Sequence, residues 1–447
     1  MVPGSHGIMT DVEKAAVVAE EIGYPILIKA VHGGGGKGIQ LVNGPEEFEQ
    51  LFFRVGVEAR SAFGNGDVYL EKYVTSLRHI EAQLLRDTHG NTHVLGIRDC
   101  SVQRDKQKVI EESGSTMLPK KLLDVVKRST ADIANEVGYI GAGTVEFIYD
   151  LKSDAVYFME MNTRLQVEHP VTEWTSGINI VAEQFRIASG ESIADLKVKS
   201  TGYSIEARVN AERILQQADG TLAFRPHPGE VLACEFPEED GVEIITTVGP
   251  GKFVSPYYDS MVAQVVVHAK NRNAAADKLI AYLDKVTISG ICTNIPLLKL
   301  VLADNVFRKG KYDTDYLPEL LQRTDIEKLI AEIDASSGSA GSGIDRDSVL
   351  IDGTDELKVL APATAIFYST PSPSEPEYVS VGDVVDLNHT LCQLEAMKIF
   401  NPVALKDFNA DGEVYDSSKR YRVTRVNMSN GQQVNVGDLL FVVAPVV

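Results

Sequence analysis

The sequence predicts an α+β chain that ends in a separate all-β domain. Near the start, apolar residues recur at helical spacing, as at Val12, Ala15 and Ala19, which indicates an amphipathic helix. Residues 145–149 and 156–161 have strand patterns instead, on either side of a turn at residues 150–155. From residue 357 onward the pattern is nearly all strand, and one short phrase occurs twice. These observations predict a mixed body followed by a smaller domain made of strands alone.

Composition narrows the class of protein. The 447 residues suffice for two or three domains with substantial cores. The formal net charge of −20 argues against nucleic acid and anionic membranes as partners. No apolar run approaches the length of a membrane span, and the first residues lack the pattern of a signal peptide. The four cysteines are scattered without metal-ligand or redox spacing, so we expect reduced thiols in a cytoplasmic protein.

The N-terminal region is predicted to carry a helix followed by two strands. Residues 10–13, Thr-Asp-Val-Glu, form a capping box, and Gly23 stops the helix. Residues 26–28 and 39–42 are apolar strand runs on either side of a run of glycines at 33–36. Because the glycines lie between two strands, they predict a flexible hairpin flap rather than a loop that opens a helix.

This glycine flap differs from the phosphate loop of nucleotide-binding proteins. The motif Gly-x4-Gly-Lys-Ser/Thr fails here, because Gly38 follows Lys37 and Val31 stands at the position of the first glycine. A bare hairpin tip with backbone N–H groups and a lysine can still close over a triphosphate. A floppy surface turn is the alternative interpretation.

Two carboxylates are predicted to face each other across a hairpin. If the loop between the strands centres on Ser153, Glu146 falls opposite Glu160 on the same face. Carboxylates directly opposite one another repel and destabilise a sheet, so a shared cation explains the pair. Oxygen ligands of this kind are what Mg²⁺ prefers, together with substrate phosphates.

A row of polar residues at a spacing of two continues from this pair. An extended segment would present all of them on one face, while the residues between them are apolar. A solvent-exposed strand face is the alternative interpretation. Against that alternative, the side chains differ from one another, no lysine occurs among them, and the carboxylate pair begins the row. The row consists of Glu160, Asn162, Arg164, Gln166 and Glu168.

The C-terminal segment contains an internal repeat. Residues 379–385, Val-Ser-Val-Gly-Asp-Val-Val, recur as Val-Asn-Val-Gly-Asp-Leu-Leu at 434–440. Each copy is too small to bury its apolar face alone, so the repeat predicts two halves packed into one flattened barrel or sandwich. Lys398 lies at the junction of the halves, where a hairpin turn would expose it. A lone lysine on a turn is otherwise an ordinary solvated charge.

The residues around Lys398 change that interpretation. Glu395-Ala-Met-Lys398, set inside the repeated scaffold, resembles the attachment motif of the biotinyl (biotin carboxyl carrier) domain. This resemblance implies that biotin is attached to Lys398 through an amide, which gives a long arm on a rigid tip. Residues 368–373, Tyr-Ser-Thr-Pro-Ser-Pro, resemble the protruding thumb of the carrier domains of bacterial acetyl-CoA carboxylases.

The body of the chain resembles biotin carboxylase. Residues 160–172 are similar to the signature of that family, and residues 29–42, with their strands, lysine and glycine flap, resemble the lid of the ATP-grasp fold. The resemblance implies that Glu168 deprotonates bicarbonate and that Arg208 stabilises the enolate of the ureido group of biotin. It also assigns Mg²⁺, or Mn²⁺, to Glu146, Glu160 and Asn162, and bicarbonate to Lys108, Arg164, Gln166 and the main chain of Val167. The ATP contacts that it implies are Lys29, Gly34, Gly35, Gly36, Glu71, Lys72, Val74, His79 and Gln103.

We therefore expect four regions. Residues 1–74 form the ATP-grasp lid, residues 75–325 the ATP-grasp body with the biotin carboxylase C-terminal region, residues 326–356 a flexible linker, and residues 357–447 the biotinyl domain. The linker prediction depends on the Ser- and Gly-rich residues 335–343. The resemblance also implies that the N-terminal α/β domain of the family is absent. The alternatives are a gene fragment, a mistaken start, and a split enzyme in which a separate chain supplies that domain.

The expected function is biotin carboxylation within an acetyl-CoA, or acyl-CoA, carboxylase. The implied partners are bicarbonate, a carboxyltransferase subunit and a biotin protein ligase, and the protein is expected to be an oligomer. One alternative is a non-catalytic biotinylated carrier or assembly subunit. Another is a component of a propionyl-CoA, pyruvate or urea carboxylase.

Overall fold

The computed structural model describes most of the chain in two compact units. One unit comprises Met1–Thr201 with Gly310–Tyr316, and the other comprises Gly202–Lys309 with Leu317–Val447. The described residues are 2–33, 38–216, 220–336, 350–351, 355–362, 364–372, 375–397, 399–408, 415–416 and 418–446. Among the predicted site residues, Gly34, Gly35, Gly36 and Lys398 lie outside these ranges.

The first unit contains five helices and eight strands among its described residues. They are α1 (Val12–Ile22), β1 (Ile26–Ala30), β2 (Ile39–Val42), α2 (Pro45–Phe63), β3 (Val68–Lys72), β4 (Leu77–Arg86), β5 (Thr92–Arg104), β6 (Gln107–Ser113), α3 (Lys120–Glu136), β7 (Gly141–Asp150), β8 (Ala155–Asn162), α4 (His169–Ser176) and α5 (Ile180–Ala188).

The region predicted as a lid has a small core of its own. Strands β1 and β2 pair antiparallel, as predicted, and the sheet order is β2-β1-β3. Helices α1 and α2 share its core, in which Ile28, Phe52 and Leu70 are buried. The helix start differs by one residue from the prediction, because the Asp11 side chain, not that of Thr10, accepts the N–H groups of Glu13 and Lys14.

The five remaining strands of the first unit form an antiparallel array with one apolar and one polar face. The order is β6-β5-β4-β7-β8. Ile80 and Ala82 of β4 share a buried core with Val126 of α3. The alternate residues Glu81 and Gln83 are also buried, on the opposite face. This second face carries the polar groups of the candidate site.

From residue 203 onward the described residues contain five α-helices, and their strands form three two-stranded sheets, two four-stranded sheets and one antiparallel group of three strands. The elements are β9 (Tyr203–Asn210), β10 (Glu212–Gln216), β11 (Leu222–Pro226), β12 (Gly229–Glu230), β13 (Ala233–Glu235), β14 (Val242–Thr246), β15 (Phe253–Val254), β16 (Met261–Ala269), α6 (Arg272–Leu283), β17 (Thr287–Ser289), α7 (Ile295–Ala303), α8 (Asn305–Arg308), α9 (Tyr316–Gln322), α10 (Ile326–Ser336), β18 (Leu357–Leu360), β19 (Ala365–Tyr368), β20 (Val384–Val385), β21 (Thr390–Ala396), β22 (Ile399–Ala404), a 3₁₀ helix (Leu405–Phe408), β23 (Arg420–Val426), β24 (Gln432–Val434) and β25 (Leu439–Val446).

Helix α10 corrects the predicted linker. The linker was expected to begin at residue 326, but residues 326–336 are helical. Leu329 and Ile333, four residues apart, are buried, and Asp334 forms an ion pair of 2.9 Å with Arg213 of β10. The prediction gave weight to the Ser- and Gly-rich residues and too little to this apolar spacing. Residues 337–349, which carry most of the Ser- and Gly-rich stretch, lie outside the described part of the chain.

The C-terminal region has the two-half architecture that the repeat predicted. Two four-stranded sheets have the orders β18-β25-β23-β20 and β22-β21-β19-β24, so each sheet combines strands from both halves. The sheets share one apolar core, in which the rings of Phe367 and Phe441 lie 5.8 Å apart. The repeated phrase forms the same turn twice, because Asp383 accepts the N–H of Ser380 as Asp438 accepts that of Asn435.

Within the described residues, no helix combines the length and the apolar character needed to cross a bilayer.

Candidate active site

A row of charged residues crosses four neighbouring strands on the polar face of the first unit. Arg98 of β5 lies opposite Glu81 of β4, Glu81 opposite Glu146 of β7, and Glu146 opposite Glu160 of β8. The predicted pairing of Glu146 with Glu160 is therefore confirmed. The hairpin has a bulge between Glu146 and Phe147, so the residues between the bulge and the loop pair one residue out of the predicted register.

The two hairpin carboxylates are joined by an amide. The Nδ2 of Asn162 lies 2.9 Å from Oε1 of Glu146 and 3.3 Å from Oε1 of Glu160. Glu146 is 5% exposed and Glu160 is exposed. An amide rotated by half a turn would present its oxygen instead. Three oxygen donors at one edge of a sheet suit a hard divalent cation such as Mg²⁺.

Lys108 is the cation on which the buried carboxylates converge. Its Nζ lies 2.5 Å from Oε1 of Glu168 and 3.6 Å from Oε1 of Glu146, and it also contacts Oε1 of Glu81. Burial lowers the pKa of Lys108, but the neighbouring acidic groups, Cys100, Glu81 and Glu168, raise it above its ordinary value overall. The ammonium group therefore stays charged at the centre of the cluster.

Glu168 is placed by the start of helix α4 without capping it. It occupies the N-cap position, where a side chain usually accepts an N–H of the first turn, but it makes no such bond. Its carboxylate, 2% exposed as a residue, points to Lys108 instead. A buried carboxylate beside an ammonium group is a suitable proton acceptor for an anionic substrate that the ammonium also attracts.

His79 adds a titratable group beside the carboxylates. Its Nε2 lies 3.2 Å from Oε2 of Glu146 and 3.4 Å from Oε1 of Glu81. Burial lowers the pKa of His79, but these carboxylates raise it overall. The amide nitrogen of Gln103 lies 3.0 Å from Nδ1 and also donates to the carbonyl of Cys100, which opposes that rise because a protonated Nδ1 would face a donor.

Glu81 is a central residue of the cluster that sequence reasoning missed. It is fully buried and contacts Lys108, His79 and Arg98. Burial raises the pKa of Glu81, but these three cationic or protonatable neighbours lower it overall. The available signal was its position two residues after His79, because residues at that spacing on a strand share one face.

The polar row after Asn162 does not continue as an extended strand. Strand β8 ends at Asn162, and irregular backbone leads from there to helix α4. Gln166 is buried and donates to Oε1 of Glu146 at 2.7 Å, whereas Arg164 is exposed and its Nη1 lies 3.3 Å from the carbonyl of Leu165. The prediction of one continuous face was therefore wrong, since the chain turns and buries only part of the row.

The predicted ATP contacts of the lid form a separate set of interactions. Lys29 and Glu71 form an ion pair of 3.0 Å across β1 and β3. The Nζ of Lys72 lies 2.6 Å from the carbonyl of Gly23 and 3.2 Å from that of Tyr24, so this side chain anchors the turn before β1. Val74 is buried just after β3.

Two predicted site residues belong to the second unit. Arg208 lies on β9, opposite Gln264 of β16. Lys398 itself is outside the described residues, but the neighbouring strands β21 and β22 pair with Ala396 opposite Ile399. Met397 is buried and has a φ of 52°, a value that two-residue hairpin connections require. The backbone around the predicted attachment site thus fits a tight hairpin.

Comparison with known proteins agrees with this geometry. Residues 1–196 match the family model described as carbamoyl-phosphate synthase L chain, ATP binding domain. Residues 206–319 match the model described as biotin carboxylase C-terminal domain. The chain is 44% identical over 319 residues to biotin carboxylase 1 of Bacillus subtilis. The matched region covers 71% of this chain and 70% of that protein. It is 43% identical over 320 residues to the 2-oxoglutarate carboxylase small subunit of Hydrogenobacter thermophilus, covering 71% of this chain and 66% of that subunit.

Solved structures show the same relationship. The biotin carboxylase domain of the Hydrogenobacter thermophilus 2-oxoglutarate carboxylase, in complex with MgADP, ADP and bicarbonate, has a TM-score of 0.65 at 43% identity and covers 71% of this chain and 69% of that one. The β,γ-ATP complex of biotin carboxylase from Campylobacter jejuni has a TM-score of 0.67 at 39% identity, with coverages of 71% and 70%.

The fold and the polar cluster define a mixed α and β ligase of the ATP-grasp type. The chain belongs to the biotin carboxylase family. It spans about 70% of the length of the Bacillus relative, and the second of the two family models ends at residue 319.

Proposed function

We propose that this protein catalyses the ATP- and bicarbonate-dependent carboxylation of biotin attached to Lys398. The observation that carries the proposal is the contact between Lys108 and Glu168 beside the opposed pair of Glu146 and Glu160. An ammonium group, a buried proton acceptor and a cation-binding edge are the groups that bicarbonate activation by a nucleotide needs. The relative crystallised with MgADP and bicarbonate supports this assignment.

Lys108 and Glu168 have the central roles in the first step. Glu168 removes the proton of bicarbonate while Lys108, joined by Arg164, Gln166 and the main chain of Val167, holds the anion. A bicarbonate oxygen then bonds to the γ-phosphorus of ATP, and the bond from that phosphorus to the β-phosphate oxygen breaks. The products are ADP and carboxyphosphate. The N–H groups and lysine of the flap exclude water from this unstable product.

The charge of the cluster favours a metal-bound nucleotide. Among the described residues, the carboxylates outnumber the permanent cations, so a bare triphosphate would be repelled. Glu146, Glu160 and Asn162 would hold Mg²⁺, which when bound neutralises phosphate charge. The remaining proposed ATP contacts are His79, Gln103, Lys29, Glu71, Lys72, Val74 and the flap glycines 34–36. The carboxylates are Glu81, Glu146, Glu160 and Glu168, and the cations are Lys108 and Arg98.

The second step uses the proposed carrier domain. Carboxyphosphate splits into CO₂ and phosphate. When biotin is attached at Lys398, the released phosphate takes the proton from its ureido nitrogen, and that nitrogen then bonds to the carbon of CO₂. We propose that residues 357–447 are the biotinyl domain and that Arg208 contacts the ureido group. The paired sheets and the tight connection at Met397 support the carrier assignment.

We further propose an acyl-CoA as final acceptor, acetyl-CoA first, with transfer by a partner carboxyltransferase. The carboxylase part and the proposed carrier are joined by a short stretch that leaves no room for a carboxyltransferase between them. The α subunit of methylcrotonoyl-CoA carboxylase from Glycine max, 42% identical over 319 residues, supports an acyl-CoA acceptor.

Biotin addition at Lys398 by a biotin protein ligase is tested by intact-mass spectrometry.

The activity is tested by bicarbonate-dependent release of phosphate from Mg-ATP with free biotin added. We expect Glu168→Gln to lose this activity by a factor of about 10² to 10⁴, the usual range for a general base. Lys398→Arg should keep it, because free biotin replaces the attached group. Glu191→Gln, at an exposed carboxylate away from the cluster, is the matched control. Binding of Mg-ATP without bicarbonate-dependent cleavage in the wild type would contradict the proposal and favour a carrier without catalytic activity.

A further inference from the structure

Arg98 is a fully buried arginine that lies behind the cluster. It lies on β5 with no solvent exposure, and its partners come from two other strands, from the segment before α4 and from α4 itself. An arginine offers five N–H groups in a planar fork. The acceptors are Glu81, Gln83, Thr144, Gln166 and Thr172.

One arm of this fork determines the orientation of Gln166. The Nη2 of Arg98 donates to Oε1 of Gln166 at 3.0 Å. The amino group of the same amide therefore faces the other way and donates to Oε1 of Glu146 at 2.7 Å. Without a donor at position 98, the amide could rotate by half a turn and present its oxygen to the carboxylate, which would be repulsive.

The same side of the fork also holds Glu81. The Nε and Nη2 of Arg98 lie 3.2 and 3.1 Å from Oε2 of Glu81, while Oε1 of Glu81 contacts Lys108. Glu81 is thus shared between two cations, and the position of Lys108 depends on it. Because Lys108 also contacts Glu168, the fork acts on both the proton acceptor and the proposed metal side of the site.

We propose that Arg98 is a positioning residue that orients Gln166 and Glu81 for bicarbonate activation. This inference rests on the proposed function. A lysine at position 98 would keep the charge, but its three N–H donors could not serve the acceptors on five residues that the planar fork of Arg98 contacts. If Arg98 only stabilised the fold, its replacement would lower stability, and the effect on activity would not depend on Gln166.

Arg78 provides the matched control. It is 1% exposed, lies on neighbouring strand β4, and forms an ion pair of 2.6 Å with Asp99. Its guanidinium also stacks 3.8 Å from the ring of Tyr312. Asp99 and Tyr312 lie outside the charged cluster around Lys108, so Arg78→Lys reports the cost of altering a buried arginine alone.

The experiment is a double-variant cycle measured as kcat/KM for bicarbonate, with KM for ATP determined alongside. We expect Arg98→Lys to lower kcat/KM for bicarbonate by about 10- to 100-fold, with KM for ATP changed much less, as for a misplaced catalytic group. Gln166→Met should cause a similar loss, and the double variant should lie within about threefold of the worse single variant. Arg78→Lys combined with Gln166→Met should instead be additive.

The outcomes separate the two proposals. Additive losses for Arg98→Lys and Gln166→Met in an active protein would overturn the positioning role and leave the proposed function intact. A wild type without bicarbonate-dependent ATP cleavage would overturn both. If Arg98→Lys does not fold, Thr172→Val removes one acceptor of the fork and keeps the arginine. A loss of a few fold that is non-additive with Gln166→Met supports the proposal, and an additive loss overturns it.

Discussion

The antiparallel sheet of the first unit and the two sheets at the C-terminus bury opposite kinds of side chain. The first buries Glu81, Arg98 and Glu168 in one connected cluster. Among the described residues from 350 to 446, no charged side chain is buried, and the buried polar residues are Thr364 and Ser369. A buried charge cluster is rarely more stable than an apolar core of the same volume. The contrast indicates that the first sheet is organised for chemistry and the C-terminal pair for rigidity.

The largest effect is expected at Lys108, where the charged cluster can be broken. Lys108→Met leaves three carboxylates without their shared cation, so we expect loss of ATP cleavage and a stability loss of about 3–5 kcal/mol. Urea unfolding measures the stability loss. Adding Glu168→Gln should restore part of the stability but none of the activity, because one uncompensated charge is removed. Equal stability of Lys108→Met and the wild type would show that the carboxylates do not depend on this ammonium.

The apolar core should respond in stability alone. Phe367→Ala removes a fully buried ring that packs on Phe441, and we expect a loss of about 3–5 kcal/mol. Thermal unfolding measures the loss, and bicarbonate-dependent ATP cleavage with free biotin should be unchanged. Val381→Ala, at a side chain that is 64% exposed, is the control and should change stability by less than about 0.5 kcal/mol.

The two copies of the repeat should respond alike. Gly382 and Gly437 have φ values of 103° and 86°, and an added Cβ would meet no atom within 4 Å at either position. The cost of alanine is therefore backbone strain, about 1–2 kcal/mol at each site. Unequal losses in thermal unfolding would show that the turns are not equivalent. Gly249→Ala, where space is also open and φ is ordinary, should be close to neutral.

A smaller and opposite effect is expected at Glu160. Glu160→Gln removes repulsion with Glu146, so in the absence of divalent cations we expect a stability gain of about 0.2–1 kcal/mol. The same change should weaken Mg-ATP binding, measured by titration calorimetry, because one proposed ligand is lost. A variant that is destabilised without metal and binds Mg-ATP normally would contradict the cation-binding role.

His227, a half-buried histidine of the second unit, provides a pH test of stability. Burial lowers the pKa of His227, and its Nδ1 accepts the N–H of Cys292 at 3.1 Å, which favours the neutral ring. The unfolded chain therefore binds the proton more readily than the folded protein does. The contribution of His227 to the free energy of unfolding is fully present above about pH 6.5, and it is lost as the pH falls through the lower pKa of the folded protein. We expect His227→Gln to reduce the fall in stability between pH 7 and pH 5, as followed by urea unfolding. An unchanged pH dependence would show that His227 does not titrate differently on folding.

The sequence predicted the parts of the fold and site that depend on local periodicity. The strand pattern, with a loop centred on Ser153, placed Glu146 opposite Glu160, and the repeated phrase predicted the paired sheets of the C-terminal region. Glu81 and Arg98 were missed because their importance comes from pairing between β4 and β5 and from contacts to distant α4. Neither residue differs from its sequence neighbours in a way that predicts a role, because each is simply one polar residue in a strand.

The errors have similar causes. The row after Asn162 was expected to stay extended, but the start of α4 turns the chain and buries Gln166 while Arg164 remains exposed. Helix α10 was hidden by the Ser- and Gly-rich residues that follow it. In both cases one local pattern received too much weight, which was the alternation after Asn162 in the first case and the Ser- and Gly-rich residues in the second.

The central claim is that this cluster activates bicarbonate as the nucleophile toward ATP. The most direct measurement uses bicarbonate labelled with ¹⁸O and mass spectrometry of the phosphate released from Mg-ATP. Because the attacking oxygen stays on phosphorus when carboxyphosphate loses CO₂, we predict one labelled oxygen in each phosphate, and none above background with Glu168→Gln. Phosphate that carries only oxygen from water would contradict the account.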